Sequence, residues 1–147
     1  MAPGPAGRGE GKFFGELDDV AIRIVRLGSE RLPGEGVRFG TVRRPPRGIR
    51  KTEFASKNFY DVWLPTLAPS QATVKQGLSS RSDRDWRGFV RKYRAEMAVA
   101  HCRSMLDVLA ALSHKTDFSV GCYCADASRC HRSILRELLI DSGAQVL

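Results

Sequence analysis

The sequence predicts a single α/β layered domain with a mainly parallel sheet flanked by helices. Short apolar runs near residues 20–27, 37–42 and 118–124 are typical of buried strands. Amphipathic patterns near residues 83–112 and 132–140 predict helices. The run at 118–124 leads through a short loop into the second of these helices. Because strands that alternate with helices usually form parallel sheets, these observations together indicate the α/β class.

Length and composition indicate one soluble domain. The chain has 147 residues, and we expect a disordered tail over residues 1–16, which are rich in Gly and Pro, followed by the α/β domain over 17–147. No apolar run approaches the roughly 20 residues that span a membrane, and the N-terminus lacks the apolar core of a secretory signal. We therefore expect a cytoplasmic protein that does not contact membranes, with reduced cysteines.

The net charge of +8 favours anionic partners. An anionic small molecule is the first expectation, and nucleic acid is the alternative. No cofactor is expected, and the oligomeric state is not indicated.

The first two strands precede a basic turn. Apolar β-branched residues mark the first strand over residues 20–27, and alternation over 37–42 marks the second. The following turn, RRPPRGIRK at residues 43–51, contains five cations and no acid. Arg43 and Arg47 either form part of a solvated loop or bind a phosphate or carboxylate in a bidentate manner.

The middle of the chain is predicted to contain a short turn after residue 70 and the clearest helix over residues 83–112. Phe59, Trp63 and Leu67 suggest a short amphipathic segment, which prolines interrupt, and Ser70 can cap a short turn after it. A long helix over 83–112 is predicted to begin at an Asp83 cap and to break between residues 98 and 104. Its arginines at positions 84, 87, 91 and 94 line one side, which is usually a solvated face.

The stretch CYCADASRCHRSILRELL, residues 122–139, ends a strand and opens a helix. Alternation along the strand places Cys122 and Cys124 on one face. Cys130 lies at or just before the helix start, and Asp126 or Ser128 can act as the helix cap. Gly143 is expected to end this helix, and a last strand is expected to begin at 144–147.

Four interpretations of this stretch are open. The spacing of Cys122, Cys124, Cys130 and His131 argues against zinc, so no metal ligand is assigned. A reactive thiol would be Cys130 first and Cys124 second, because a helix N-terminus and neighbouring cations lower a thiol pKa. An anion-binding turn at the strand ends is the leading interpretation. Buried cysteines without chemistry are the fourth, and burial is the expectation for Cys122.

The predicted site combines two basic motifs at one end of the sheet. Its ligand-binding residues are Arg43, Arg47, Arg129, His131 and Arg132. The expected ligand is a nucleotide or phosphorylated compound. A non-catalytic nucleic-acid-binding or interaction module is the alternative, and a thiol-dependent enzyme using Cys130 or Cys124 is the second alternative.

Four motifs in order resemble domain-of-unknown-function family 488 over residues 20–147. The C-terminal pattern is a strand ending in Cys and then Cys-His-Arg opening a helix, and Cys124 stands where many members have an acidic residue. The other motifs are a strand with a Pro-Arg-Gly turn, a Trp-Leu…Leu-Ala-Pro-Ser segment and an aromatic–basic helix. The matching residues are Arg43, Pro46, Arg47, Gly48, Asp61, Trp63, Leu64, Leu67, Ala68, Pro69, Ser70, Phe89, Arg91, Tyr93, Arg94, Cys122, Cys130, His131 and Arg132. The resemblance implies an α/β fold and a small bacterial-type cytoplasmic protein, but no reaction.

Overall fold

A four-stranded parallel sheet organises the protein. The computed structural model describes residues 20–126 and 129–147, so the predicted tail over 1–16 lies outside the described residues. The strands are β1 (Ile22–Arg26), β2 (Val37–Gly40), β3 (Val62–Trp63) and β4 (Phe118–Cys122). Their order in the sheet is β1-β4-β2-β3, and every pair is parallel. The predicted α/β class and parallel sheet are therefore confirmed.

The central strand β4 is buried along its whole length, as expected for a parallel strand covered on both faces. Val120 lies opposite Ile24 of β1 on one side and Phe39 of β2 on the other. A Cβ atom on Gly121 would lie 2.4 Å from the Val25 carbonyl oxygen, so only glycine allows this close approach. The predicted last strand is reduced to a single bridge between Val146 and Ile22.

The described residues form four helices beside the sheet: α1 (Gln71–Leu78), α2 (Asp83–Met97), α3 (Ala100–Leu112) and α4 (His131–Asp141). Two short 3-10 turns cover Lys51–Glu53 and Pro65–Leu67. The predicted break in the long helix lies at residues 98 and 99, between α2 and α3. The predicted Asp83 cap is wrong, because Ser82 is the residue before the helix and its hydroxyl accepts a hydrogen bond from the Asp85 amide. Ser70 caps α1 as predicted.

The main hydrophobic core lies between the sheet and helices α2, α3 and α4. Its buried residues are Ile22, Leu67, Phe89, Tyr93, Met97, Cys102, Leu106, Leu109, Phe118, Val120, Ile134, Leu135 and Leu139. A second, smaller cluster joins Leu27, Val42, Tyr60, Cys122 and Cys130. This smaller cluster connects the ends of β1 and β4 with the start of α4, where the cysteine-rich stretch lies.

A buried ion pair fixes the loop between β1 and β2. Arg38 is fully buried, and its guanidinium donates to Glu35 through Nε at 2.8 Å and Nη2 at 3.0 Å. Its Nη1 donates to the carbonyls of Ser29 and Asn58. The Ser119 hydroxyl on β4 donates to the same Glu35 carboxylate at 2.6 Å. This network connects the loop to β4. It also pairs the buried charge of Arg38, which would destabilise the fold if it had no counter-charge.

Candidate functional site

A cleft of about 270 Å³ lies at the carboxyl ends of β2 and β4. Open α/β sheets bind ligands at this edge, because the loops that follow the strands meet there. One wall comes from residues 42–44 after β2, another from residues 122–124 at the end of β4, and a third from α1. The lining residues are Val42, Arg43, Arg44, Pro69, Gln71, Val74, Leu78, Cys122, Tyr123, Cys124 and His131.

Three cysteines converge beside this cleft. The sulfur atoms of Cys122, Cys124 and Cys130 all lie within 4.8 Å of one another, and those of Cys122 and Cys130 are in direct contact. Cys122 ends β4, Cys124 lies on the loop, and Cys130 is the residue that precedes α4. Cys122 is buried as expected, and the loop returns Cys130 to the end of the same strand. Within residues 20–126 and 129–147, these three cysteines are the one cluster of metal-ligating side chains close enough together to hold a metal ion.

The first residue of α4, His131, is buried and electrically neutral near pH 7. Burial lowers its pKa to about 4, and the neighbouring Arg132 acts in the same direction, against the hydrogen bond to Thr41. Nε2 lies 2.7 Å from the Thr41 carbonyl oxygen, which can only accept a hydrogen bond. Nε2 therefore carries the proton, and Nδ1 keeps a lone pair. Nδ1 lies 3.8 Å from Cys130 Sγ.

Arg132 holds the loop that carries Cys124. Its side chain is only 5% exposed, and Nη2 donates to the Cys124 carbonyl at 2.8 Å. Nε of the same guanidinium is buried and has no hydrogen-bond partner among the described residues. Arg132 does not line the cleft. These contacts indicate that Arg132 positions the loop that carries Cys124.

Two neighbouring arginines take different roles at the end of β2. Arg43 donates to the carbonyls of Pro65, Ala68 and Pro69 at 3.0–3.1 Å, so it braces the wall of the cleft. Arg44 is exposed and lines the cleft, with no carboxylate within ion-pair distance in the part of the chain that is described. Residue-type reasoning missed Arg44, although it stands next to Arg43 in the basic turn.

Arg47 and Arg129 lie outside the cleft. Arg47 is exposed on the turn beside Gly48, and it is not among the lining residues. Arg129 pairs with Asp83 at 2.6 Å, and its guanidinium lies 5.6 Å from the ring centroid of Trp86. Of the five sequence-predicted ligand residues, the cleft contains Arg43 and His131 only. The structure therefore brings one residue of each basic motif, Arg43 and His131, to the same cleft, whereas Arg47, Arg129 and Arg132 do not line it.

The candidate nucleophiles are both shielded. Cys130 is 2% exposed, and Cys124 is half-buried. Burial raises the pKa of the Cys124 thiol, and this outweighs the opposite effect of the nearby Arg132 and Arg26. An activated thiol requires a shift in the other direction.

The predicted cap of α4 is only partly described. Cys130 is the residue before the helix, and its own side chain makes no capping hydrogen bond. Ser128 lies outside the described residues, so its predicted capping role stays a prediction. The helix ends at Asp141, and Gly143 follows it in the expected left-handed conformation, with φ of +95° and a bond from the Ala144 amide to the Leu139 carbonyl.

Comparisons with known proteins identify a family. The model of DUF488-N3a, described as the active DUF488-N3 subclade, matches residues 22–143. Neither the curated proteins nor the solved structures include a match to the chain. In the described ranges, no helix combines the length and the apolar character that a bilayer crossing needs. Because the match covers all four strands and all four helices, this chain belongs to the DUF488 family, in its DUF488-N3a subclade.

Proposed function

We propose that the cleft at the carboxyl ends of β2 and β4 binds a small organic anion, namely a phosphorylated compound or a nucleotide. The observation that carries the proposal is the combination of an apolar cleft with an exposed guanidinium at its edge. Val42, Pro69, Val74 and Leu78 supply the apolar wall, and Arg44 supplies the charge. Binding sites for small molecules usually combine apolar walls with a few polar groups that fix orientation.

The size of the cleft limits the ligand. Its volume of about 270 Å³ is just below the range of about 300–1,000 Å³ that is usual for drug-sized ligands. A single aromatic ring therefore fits the cleft, while an attached phosphate remains at the open edge. Arg44 could bind two oxygens of such a phosphate at once, which favours arginine over lysine in this position.

The fixed parts of the site support recognition without rearrangement. Arg43 holds the segment 65–69 through three carbonyl bonds, so this wall is rigid before a ligand arrives. Gln71 contributes an amide that can both donate and accept. His131 contributes its neutral ring rather than a positive charge.

Calorimetric titration of the full chain with a nucleoside monophosphate, the parent nucleoside and inorganic phosphate tests the proposal. The monophosphate should bind, and Arg44→Ala should weaken it about 10- to 100-fold, since a hydrogen bond to a charged group contributes about 1.5–3 kcal/mol. Arg47→Ala is the matched control, because it removes the same charge from the same turn outside the cleft. Equal losses in both variants, or no binding of any probe at millimolar concentration, would refute the proposal.

A second candidate function rests on α2. Arg84, Arg87 and Arg91 are exposed, lie at helical spacing, and have no carboxylate within ion-pair distance in the described segments. Together with the net charge of +8, they favour electrostatic contact with nucleic-acid phosphates.

A salt series on duplex DNA binding tests this second candidate. Three phosphate contacts predict a slope of log K against log salt near −2.7. Changing the three arginines to Gln should abolish this slope, whereas changing the exposed Arg103, Lys115 and Arg136 to Gln should not. Binding that does not respond to salt would eliminate the candidate.

A further inference from the structure

We propose that Cys122, Cys124 and Cys130, with Nδ1 of His131, form a binding site for a zinc ion. The proposal does not depend on a ligand in the cleft. Its starting observation is that the sulfur atoms of Cys122 and Cys124 at the end of β4 and of Cys130 before α4 lie within 4.8 Å of one another. In a tetrahedral site with Zn–S bonds of about 2.3 Å, sulfur atoms are about 3.8 Å apart. Small side-chain rotations therefore bring the three sulfurs into coordination distance.

Backbone hydrogen bonds hold each thiol in place. The Cys122 carbonyl accepts the Leu27 amide at 2.7 Å, which ties the end of β4 to β1. The Cys124 carbonyl accepts from Arg132, and the Cys130 carbonyl accepts both the amide and the hydroxyl of Ser133. The sulfur atoms thus converge because their main chains are fixed, which is the preorganisation that a metal site requires.

The fourth ligand follows from the hydrogen bond of His131. Since Nε2 donates to the Thr41 carbonyl, the lone pair of the neutral ring is on Nδ1. Metal-bound histidines usually donate their other ring N–H to a carbonyl or carboxylate in this way. Nδ1 lies 3.8 Å from Cys130 Sγ, close to the edge of about 3.6 Å in a ZnS₃N tetrahedron. The three sulfurs form the cluster without His131, so coordination requires the cysteine side chains to turn towards Nδ1.

The donor set selects the class of metal. Three thiolates and one imidazole favour zinc over calcium, magnesium or manganese, which prefer oxygen ligands. Three thiolates with one Zn²⁺ carry a net charge of −1. The guanidinium of Arg132 lies beside this group and interacts electrostatically with Cys124, so it would offset that charge.

A disulfide between Cys122 and Cys130 is the competing account of the sulfur contact. The Cα atoms of this pair are 7.9 Å apart, whereas disulfides usually span about 4.4–6.8 Å. A disulfide would also leave Cys124 as an unpaired thiol in the same cluster. A shared metal ion instead uses all three sulfurs and accepts the wider backbone spacing.

Metal analysis of the full chain, purified in reducing buffer, tests the proposal. We expect one zinc ion per chain, and Co²⁺ in its place should give thiolate charge-transfer absorption and the visible bands of a tetrahedral site. Cys124→Ser should lose this absorption, and it is the most informative variant because Cys124 is only half-buried. Cys102→Ser is the matched control, because Cys102 lies on α3 and bonds to the Thr66 carbonyl instead.

Each outcome of these measurements supports or overturns a stated part of the site. Substoichiometric zinc after reconstitution, or a Cys122–Cys130 disulfide detected by mass spectrometry under the same conditions, would overturn the proposal. An equal loss in the Cys102 and Cys124 variants would overturn it too. His131→Gln should shift the visible cobalt bands, and an unchanged spectrum would remove His131 from the ligand set.

Discussion

The buried carboxylate of Glu35 should make the free energy of unfolding fall steeply in acid. Glu35 is 2% exposed and accepts hydrogen bonds from Arg38, from the Ser119 hydroxyl and from the Leu32 amide. Burial alone would raise its pKa, but the bonds to Arg38 and Ser119 outweigh this effect and lower the pKa from 4.5 to about 2. The folded protein therefore holds this group in its charged form.

The magnitude follows from the difference in pKa between the unfolded and folded states. A shift of one pKa unit corresponds to 1.36 kcal/mol, so Glu35 contributes about 3 kcal/mol. Because the folded pKa is the lower one, this contribution is fully present above pH 4.5. It is lost progressively as the pH falls from 4.5 to about 2.

Urea denaturation followed by circular dichroism at several pH values between 2 and 7 measures this effect. Glu35→Gln should lower the stability at pH 7 by about 3–5 kcal/mol, because it leaves the buried Arg38 without its counter-charge. Its deficit relative to wild type should then shrink towards pH 2. Glu30→Gln serves as the control, because Glu30 is an exposed carboxylate in the same loop.

Two results would refute this reasoning. One is a Glu35→Gln variant whose stability falls in acid as steeply as that of the wild type. The other is a cost below about 1 kcal/mol at pH 7, which is the usual value for an exposed ion pair.

Three further substitutions test other fixed points of the fold. Arg43→Met removes three bonds to carbonyls and should cost about 2–3 kcal/mol in urea denaturation, and wild-type stability would contradict its bracing role. Gly121→Ala places a Cβ atom 2.4 Å from the Val25 carbonyl oxygen and should lower the free energy of unfolding by about 1–3 kcal/mol. An unchanged melting temperature would contradict the close approach of β1 to Gly121. Glu96→Gln weakens the bonds that the Glu96 carboxylate accepts from the amide and hydroxyl of Ser70. Burial would raise the pKa of Glu96, but the bonds to Ser70 and Thr73 outweigh burial and lower it. Above the ordinary carboxylate pKa, we expect the free energy of unfolding to fall by about 1–2 kcal/mol, and this deficit should decrease in acid. A deficit that does not change with pH would exclude this electrostatic origin.

The elements with strong local patterns could be predicted from the sequence. β1 is a β-branched run that arginines interrupt, β4 has apolar residues separated by small ones, and the helix over 83–112 has a clear period. These signals are contained within the segments themselves. The two-residue strand β3 was missed. Val62 and Trp63 are partly exposed at the edge of the sheet, and their pairing with β2 depends on tertiary structure rather than on local pattern.

The candidate site was only partly predictable for a similar reason. Alternation describes which way Cys122 points within its strand, but it contains no information on where the chain returns with Cys130. Charge also does not distinguish a guanidinium that binds carbonyls from one that faces a cleft. For that reason Arg43 was predicted to bind a ligand, and Arg44 was overlooked.

The position of β4 in the sheet has a consequence for how the protein is made. β1 and β2 are synthesised early, but they do not pair with each other, because β4 lies between them. The sheet can therefore not close until residues 118–122 leave the ribosome. Until then β1 has no strand partner and β2 has only the two-residue edge strand β3, and strands with open edges are prone to aggregate or to bind chaperones. A chain that terminates before Phe118 should consequently be degraded rather than accumulate as a partly folded domain.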